Sequence, residues 1–237
     1  MYKRQALAER FPDFDPAAML VASRFHLAYV QVPPRGLWHR GGQVVGTTAE
    51  AWLGRSLEID PAPDEIILRY IAAFGPATVP DAATWSRYTG LREVFDRLRP
   101  RLRTFRDDAG RELFDLPESV IPDEDVPAPV RFLPEYDNVL LGHADRRRFV
   151  TDDVRTRMPY QRPGFLGNLL VDGLLVGGWR ADGATLHVHA VDHLSGTDRD
   201  AVEAEGRRLL AVLRPGAAHD VRFDLVGTQP VPPTPRR

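Results

Sequence analysis

Three stretches of the sequence concentrate side chains suited to binding a polyanion. In residues 31–43, Arg35, Trp38 and Arg40 stand among two prolines and three glycines. Guanidinium groups beside an aromatic ring on a stiff turn suit phosphates and a wedge or stacking contact in a groove. The competing reading packs Trp38 into its own core and leaves the arginines solvated. In residues 97–106, Arg97, Arg99, Arg101, Arg103 and Arg106 occur with no acidic residue among them. If the chain is extended past Pro100, Arg101 and Arg103 project from one face and Leu102 from the other. Asp96, Asp107, Asp108 and Glu112 are close enough in sequence to neutralise that edge instead. The densest cluster is Arg146-Arg147-Arg148, which follows a segment holding Glu135 and Asp137. A positioned carboxylate can activate water, but Asp137 and Asn138 also have the side chains that hold a turn.

His187-x-His189 followed by Asp192-His193 comes near a metal-ligand signature, with one residue too many before Asp192. Ligand spacing is a geometric requirement, and alternation on a strand explains the two histidines, so no metal is expected. No Gly-rich phosphate loop, nucleophile elbow or His-Glu-x-x-His segment occurs, and no cofactor is expected.

The 237 residues carry 31 Lys plus Arg against 33 Asp plus Glu, a formal net charge of −2. Global charge therefore gives no argument for nucleic acid, and binding must rest on local patches. Lys3 is the sole lysine; a GC-rich coding bias explains this as well as binding chemistry does. With no cysteine there is no disulfide, thiolate metal site or cysteine nucleophile. No apolar run reaches the roughly 18 residues of a membrane span, and the start lacks a signal-peptide core. No membrane partner is expected, and the default location is cytoplasmic.

The elements needed to position these groups follow from capping and periodicity. Residues 4–12 read as a short helix. Asp15 caps a second helix that opens at Pro16 and runs to about Phe25. A β ribbon follows, from Leu27 through Gly41-Gly42 to Thr48. This reads as the back half of a winged helix whose first helix is missing. A complete unit comes next. Asp64 is expected to cap a helix with Ile67, Tyr70, Ile71 and Phe74 on one face. Thr78 caps the next, and Leu91, Val94, Phe95 and Leu98 line a third. Strands near 102–105 and 113–116 flank the turn at Asp107-Asp108-Ala109-Gly110. Prolines 117, 122, 127 and 129 mark a linker. Beyond it short strands are expected at 130–133, 139–141, 169–171, 174–179, 186–191 and 220–226, with one helix from about Asp198 to Leu213. The domain expectation is a partial winged helix over 1–58, a complete one over 59–116, a linker over 117–129, a β-rich domain over 130–226 and a disordered tail over 227–237. The fold class expected is α+β: winged-helix units followed by a small C-terminal β-barrel-like domain with one helix. An apolar face on residues 16–27 must be covered, and a homodimer through the incomplete unit is one solution.

Several segments together resemble the winged-helix DNA glycosylases of the AlkZ type. They are Val32-Pro33-Pro34-Arg35-Gly36-Leu37-Trp38, Thr47-Thr48-Ala49-Glu50-Ala51-Trp52-Leu53, Phe74-Gly75-Pro76-Ala77-Thr78, Leu133-Pro134-Glu135-Tyr136-Asp137-Asn138, Val171-Asp172-Gly173 leading to Gly178-Trp179-Arg180, and Glu205-Gly206-Arg207-Arg208-Leu209-Leu210. The series is collinear over about residues 5–215. The resemblance implies tandem winged helices and a C-terminal β domain around double-stranded DNA, excision of alkylated or cross-linked bases, and a Gln-x-Gln or Gln-x-Asp pair that positions the hydrolytic water without a metal. Neither pair occurs in this sequence, and the residue two beyond Gln31 is Pro33. The family's catalytic residues therefore map onto no position here. The expectation is a DNA-binding relative of base-excision glycosylases, N-terminally shortened and lacking the catalytic segment. The alternatives are an active glycosylase that uses acids such as Glu135 and Asp137, and a winged-helix transcription or partner-binding module.

Overall fold

The computed structural model describes residues 2–38, 40–58, 62–123, 125–158 and 167–225. The chain divides between Ala62 and Pro63 into two compact units.

In the first unit, α1 (Tyr2–Arg10) packs on α2 (Pro16–His26). The Asp15 carboxylate caps α2, accepting from the amides of Ala17 at 2.9 Å and Ala18 at 3.3 Å. Pro16 follows as the first helical residue, whose absent N–H costs nothing there. Antiparallel β1 (Tyr29–Val32) and β2 (Val45–Thr48) run into α3 (Ala49–Leu53). Thr48 caps α3, and Gly54 ends it at φ 67°, a left-handed conformation that glycine adopts without strain. None of the residues of α2 or α3 is buried.

The second unit begins with α4 (Asp64–Phe74), α5 (Val79–Ser86) and α6 (Leu91–Leu98), which lead into the antiparallel ribbon β3 (Arg103–Arg106) and β4 (Glu112–Asp115). Ile67, Tyr70 and Ile71 of α4 meet Leu91, Val94, Phe95 and Leu98 of α6 in one core, closed by Phe114 from the ribbon. The spacings 67/70/71 and 91/94/95/98 supply a single apolar stripe per helix, which is why the three pack as a layer. Asp64 does not cap α4 as expected. It is the helix's first residue, and its carboxylate accepts from Arg97 Nε at 3.0 Å. That guanidinium holds the Asp64 carboxyl below the usual carboxylate range.

The remainder forms one five-stranded sheet. Its strands are β5 (Arg131–Pro134), β6 (Gly167–Val171), β7 (Leu174–Asp182), β8 (Thr185–Ala190) and β9 (Asp220–Leu225), hydrogen-bonded in that order. Two short helices, α7 (Asn138–Leu141) and α8 (Asp152–Arg157), lie between β5 and β6, and α9 (Gly196–Leu213) links β8 to β9. Leu169, Trp179, Leu186 and Val188 pack against Val202 and Leu210 of α9. At Gly206 an added Cβ would lie 2.8 Å from Leu186 Cδ2, so glycine allows α9 its close approach to the sheet. A second cluster, Leu140, Val150, Leu170 and Leu175, involves α7 and the segment before α8.

Two expectations are corrected here. The sheet is open, not barrel-like, because α9 delivers β9 parallel to β8 and leaves β5 and β9 as separate edges. The domain also carries three helices, not one. Residues 138–141, expected as a strand, are helical because Asp137 caps them. Thr151 caps the unforeseen α8 in the same way. The first four residues of the expected disordered tail's preceding strand end, from Val226 onward, lie outside the described residues, as does the tail itself. Among the described residues, no helix is long and apolar enough to cross a membrane.

Candidate nucleic-acid interface

The candidate residues occupy two separate places, one in each unit. In the first unit the loop joining β1 to β2 braces itself. Gln31 Nε2 donates to the Arg35 carbonyl at 3.1 Å, and Arg35 Nη1 donates to the Gly42 carbonyl at 3.1 Å. Held this way, the loop presents Trp38 with 64% of its surface exposed, along with exposed Arg35 and Arg40. An indole so exposed on a braced loop is available for stacking or wedging.

In the second unit most of the arginine-rich run is engaged inside the chain. Arg97 meets Asp64, and Arg99 makes a two-pronged contact with Glu112 at 2.9 Å on each arm. Arg103 reaches back to buried Asp115 at 3.2 Å and donates to the Ser119 carbonyl at 2.6 Å. The expected row of Arg101 and Arg103 does not form. Arg99–Arg101 close a 3-10 turn in which the Leu102 amide donates to the Arg99 carbonyl, so the chain is not extended until Arg103. Arg101 stays exposed, and Arg103 turns inward.

The Arg146–Arg148 segment borders a polar cleft of about 340 Å³. Its lining includes Thr78, Asp81, Asp107, Arg111, Asp145 and Arg148. Arg111 joins Asp107 at 2.6 Å to Asp145 at 2.9 Å, and Arg147 adds a second contact to Asp145 at 2.6 Å. Arg147's hydrogen bonds hold the Asp145 carboxyl far below its ordinary range. Arg148 instead donates to a neutral acceptor, the Pro76 carbonyl, at 3.2 Å. Arg146 lies on the same segment and is half-buried.

Beneath the cleft are residues the sequence reading passed over. Asp81 is 3% exposed and uses both carboxylate oxygens. One accepts from the Thr78 amide at 2.8 Å and the Thr78 hydroxyl at 2.7 Å, and the other from the Ala144 amide at 2.8 Å. The spacing Thr78-x-x-Asp81 is a capping-box signal that was legible in the sequence; its tie to Ala144 was not. Tyr70 donates its hydroxyl to the Gly142 carbonyl at 2.7 Å, and burial pushes its ionisation up. His143 Nε2 lies 3.0 Å from the Phe74 carbonyl, and its buried Nδ1 has no partner among the described residues. These contacts fix the strap 142–145 to the three-helix module and so set where Arg146–Arg148 emerge.

Burial, followed by the Arg148 charge, holds the His143 imidazole below the ordinary histidine range. The unfolded chain takes up a proton near pH 6.5 while the folded chain resists it. Stability present above that pH is therefore lost as pH falls from about 6.5 towards the lower folded value. His143→Gln is expected to flatten this part of the pH–stability curve in urea titrations, and an unaltered curve would show that another group carries the slope.

The other candidates are placed as follows. Asp137 accepts from the Val139 amide at 2.8 Å as the cap of α7, and Glu135 lies exposed in the adjoining turn. His187 and His189 lie on β8 with ring centroids 6.5 Å apart. Asp192 is bound by Arg157 at 2.8 Å. No group of three or more potential metal ligands occurs among the described residues.

The sequence matches the family model described as AlkZ-like, DNA glycosylase AlkZ-like, over residues 4–212. Among solved structures, the DNA glycosylase AlkZ of Streptomyces sahachiroi has the same fold, with a TM-score of 0.68 and 22% sequence identity. The likeness covers 93% of this chain and 64% of that one, so the chain spans less than two thirds of that relative's length. A search of curated proteins finds no match.

Proposed function

The chain belongs to the AlkZ-like DNA glycosylase family, and from that premise we propose that it is a double-stranded DNA-binding protein of base-excision repair, built from winged-helix units and acting in the cytoplasm. In this reading α4–α6 with the β3–β4 ribbon form one winged helix, residues 1–58 hold part of another, and 130–226 form the C-terminal domain. The observation that carries the proposal is the braced β1–β2 loop, which holds Trp38 exposed between Arg35 and Arg40. Arg101 and Arg146–Arg148 supply further phosphate contacts. Arg103 contributes by fixing the ribbon through Asp115.

The Gln-x-Gln and Gln-x-Asp pairs implied by the resemblance are missing from this sequence, so the function proposed is recognition without that water-positioning pair. The Asp137 carboxylate, committed to capping α7, is poorly suited to replace it. Incubation with duplex containing an alkylated purine, followed by a search for abasic sites, tests this directly. Product that disappears in Glu135→Ala would establish catalysis by another route.

Binding is tested by fluorescence anisotropy on duplex DNA across a salt series. Each lost phosphate contact reduces the slope of log K against log salt by about 0.9. Arg146, Arg147 and Arg148 replaced together by Ala are expected to weaken binding and lower the slope by about 2. An unchanged slope would remove this segment from the interface. Among single variants, Arg148→Ala should lose more affinity than Arg147→Ala, because Arg147 must leave Asp145 before it can meet a phosphate. Equal losses would mean that the Asp145 contact does not persist in solution.

A further inference from the structure

The first unit carries an apolar surface that its own elements leave open. Twelve of the twenty large apolar side chains exposed among the described residues lie between Phe11 and Leu57. Side chains of these sizes at these exposures present on the order of 1,000 Å², more than the roughly 800 Å² per partner of a standard stable interface. The surface is ordered along α2. Met19, Leu20 and Ser23 are half-buried on the side towards α1, while Ala18, Val21, Ala22 and Phe25 are exposed. Those four positions follow the i, i+3, i+4, i+7 spacing, so they form one continuous stripe. Phe25 is 83% exposed and Val21 53%.

We infer that this stripe is a homodimer interface, in which α2 of one copy packs antiparallel against α2 of a second copy about a two-fold axis between Val21 and Ala22. The sizes of the side chains single out this occupant. A two-fold axis at that point places Phe25 of each copy over Ala18 of the other, so the largest side chain of the stripe meets one of the smallest. Val21 and Ala22 then face each other in the middle with the same large-to-small match. Interdigitation of large and small side chains is what close helix packing requires, and a two-fold interface must be self-complementary in this way. Charge does not oppose the pairing. Residues 1–62 hold seven Lys or Arg and six Asp or Glu, so two copies meet close to neutrality. The inference does not rest on DNA binding, and its test contains no nucleic acid.

Sedimentation equilibrium of the full chain over a wide concentration range is expected to give twice the 26.6 kDa chain mass. Val21→Glu should give the single-chain mass with an unchanged helical circular dichroism signal, since the side chain faces solvent in the isolated copy. Phe25→Ala and Ala18→Phe should each weaken association at least tenfold, the first by leaving a gap and the second by crowding. The double variant Ala18→Phe with Phe25→Ala exchanges large for small and should recover dimer. A wild-type chain of 26.6 kDa at every concentration would overturn the proposal, and slow amide exchange along α2 in that monomer would assign the cover to the same chain. A dimer that survives Val21→Glu, or one the double variant fails to restore, would overturn the antiparallel stripe.

Discussion

Asp81→Ala is expected to lower the stability of the second unit by about 3–4 kcal/mol, the largest loss from any single polar group in it. The substitution strands two buried amide donors, those of Thr78 and Ala144, and removes the acceptor of the Thr78 hydroxyl. Each buried donor left without a partner costs roughly 1–3 kcal/mol, and loss of the helix cap adds about 1. For a unit of this size the midpoint of thermal unfolding should fall by roughly 10 °C. Asp81→Asn should lie between, because its amide oxygen can keep one side of the contact while its NH₂ opposes the other donor. The functional consequence separates this site from an ordinary core position. Asp81 and Tyr70 tie the 142–145 strap to α4 and α5, and Arg146–Arg148 follow directly. Asp81→Ala, assayed below its new midpoint, should therefore weaken duplex binding in the same direction as the triple arginine variant. Thermal melts and anisotropy on one sample decide the matter: a midpoint shift under about 3 °C would mean the carboxylate is solvated.

Gly177→Val is expected to disrupt the five-stranded sheet, at a cost of about 3 kcal/mol or more. A Cβ at this position would lie 2.4 Å from the His189 carbonyl oxygen and 2.9 Å from the Ala190 Cα, both backbone atoms of the neighbouring strand. Neither can rotate away as a side chain could, so β7 and β8 must separate. Because β8 also pairs with β9, the strain reaches the α9 layer, where Leu186 and Val188 pack on Val202 and Leu210. Gly183→Ala serves as the control, since nothing lies within 4 Å of its added Cβ and only its φ of 59° opposes the change. Urea midpoints of the two variants give the comparison, and a Gly177→Val protein within 1 kcal/mol of wild type would show that the strands are further apart than described.

Among the candidate contacts, the sequence alone distinguished cations from acids but could not pair them. Arg97 meets Asp64 across 33 residues, and Arg111 meets Asp145 across the ribbon-to-strap contact. A reading along the chain counts five arginines between 97 and 106 and finds no acid. In the folded chain Asp64, Glu112 and Asp115 neutralise three of them. What remains for a polyanion is a smaller set, and Arg148, on its neutral acceptor, is the member whose importance the sequence did not signal.

Local chemistry was enough to determine the parts of this protein whose causes lie within a few residues. Asp15 before Pro16 starts α2, the Thr78–Asp81 pair starts α5, the stripes of α4 and α6 announce a shared core, and Gly110 at φ 75° turns the ribbon. The family could also be read from an ordered series of short segments. Tertiary structure decided everything that depends on groups far apart in sequence. It made 138–141 a helix where apolar residues suggested a strand, left the sheet open because a crossover through α9 sets β9 parallel to β8, and buried Asp81 and His143 at a junction. The physical reason is one of range. Caps, turns and periodicity are satisfied by neighbours along the chain, whereas ion pairing, burial and sheet closure depend on which distant surfaces meet.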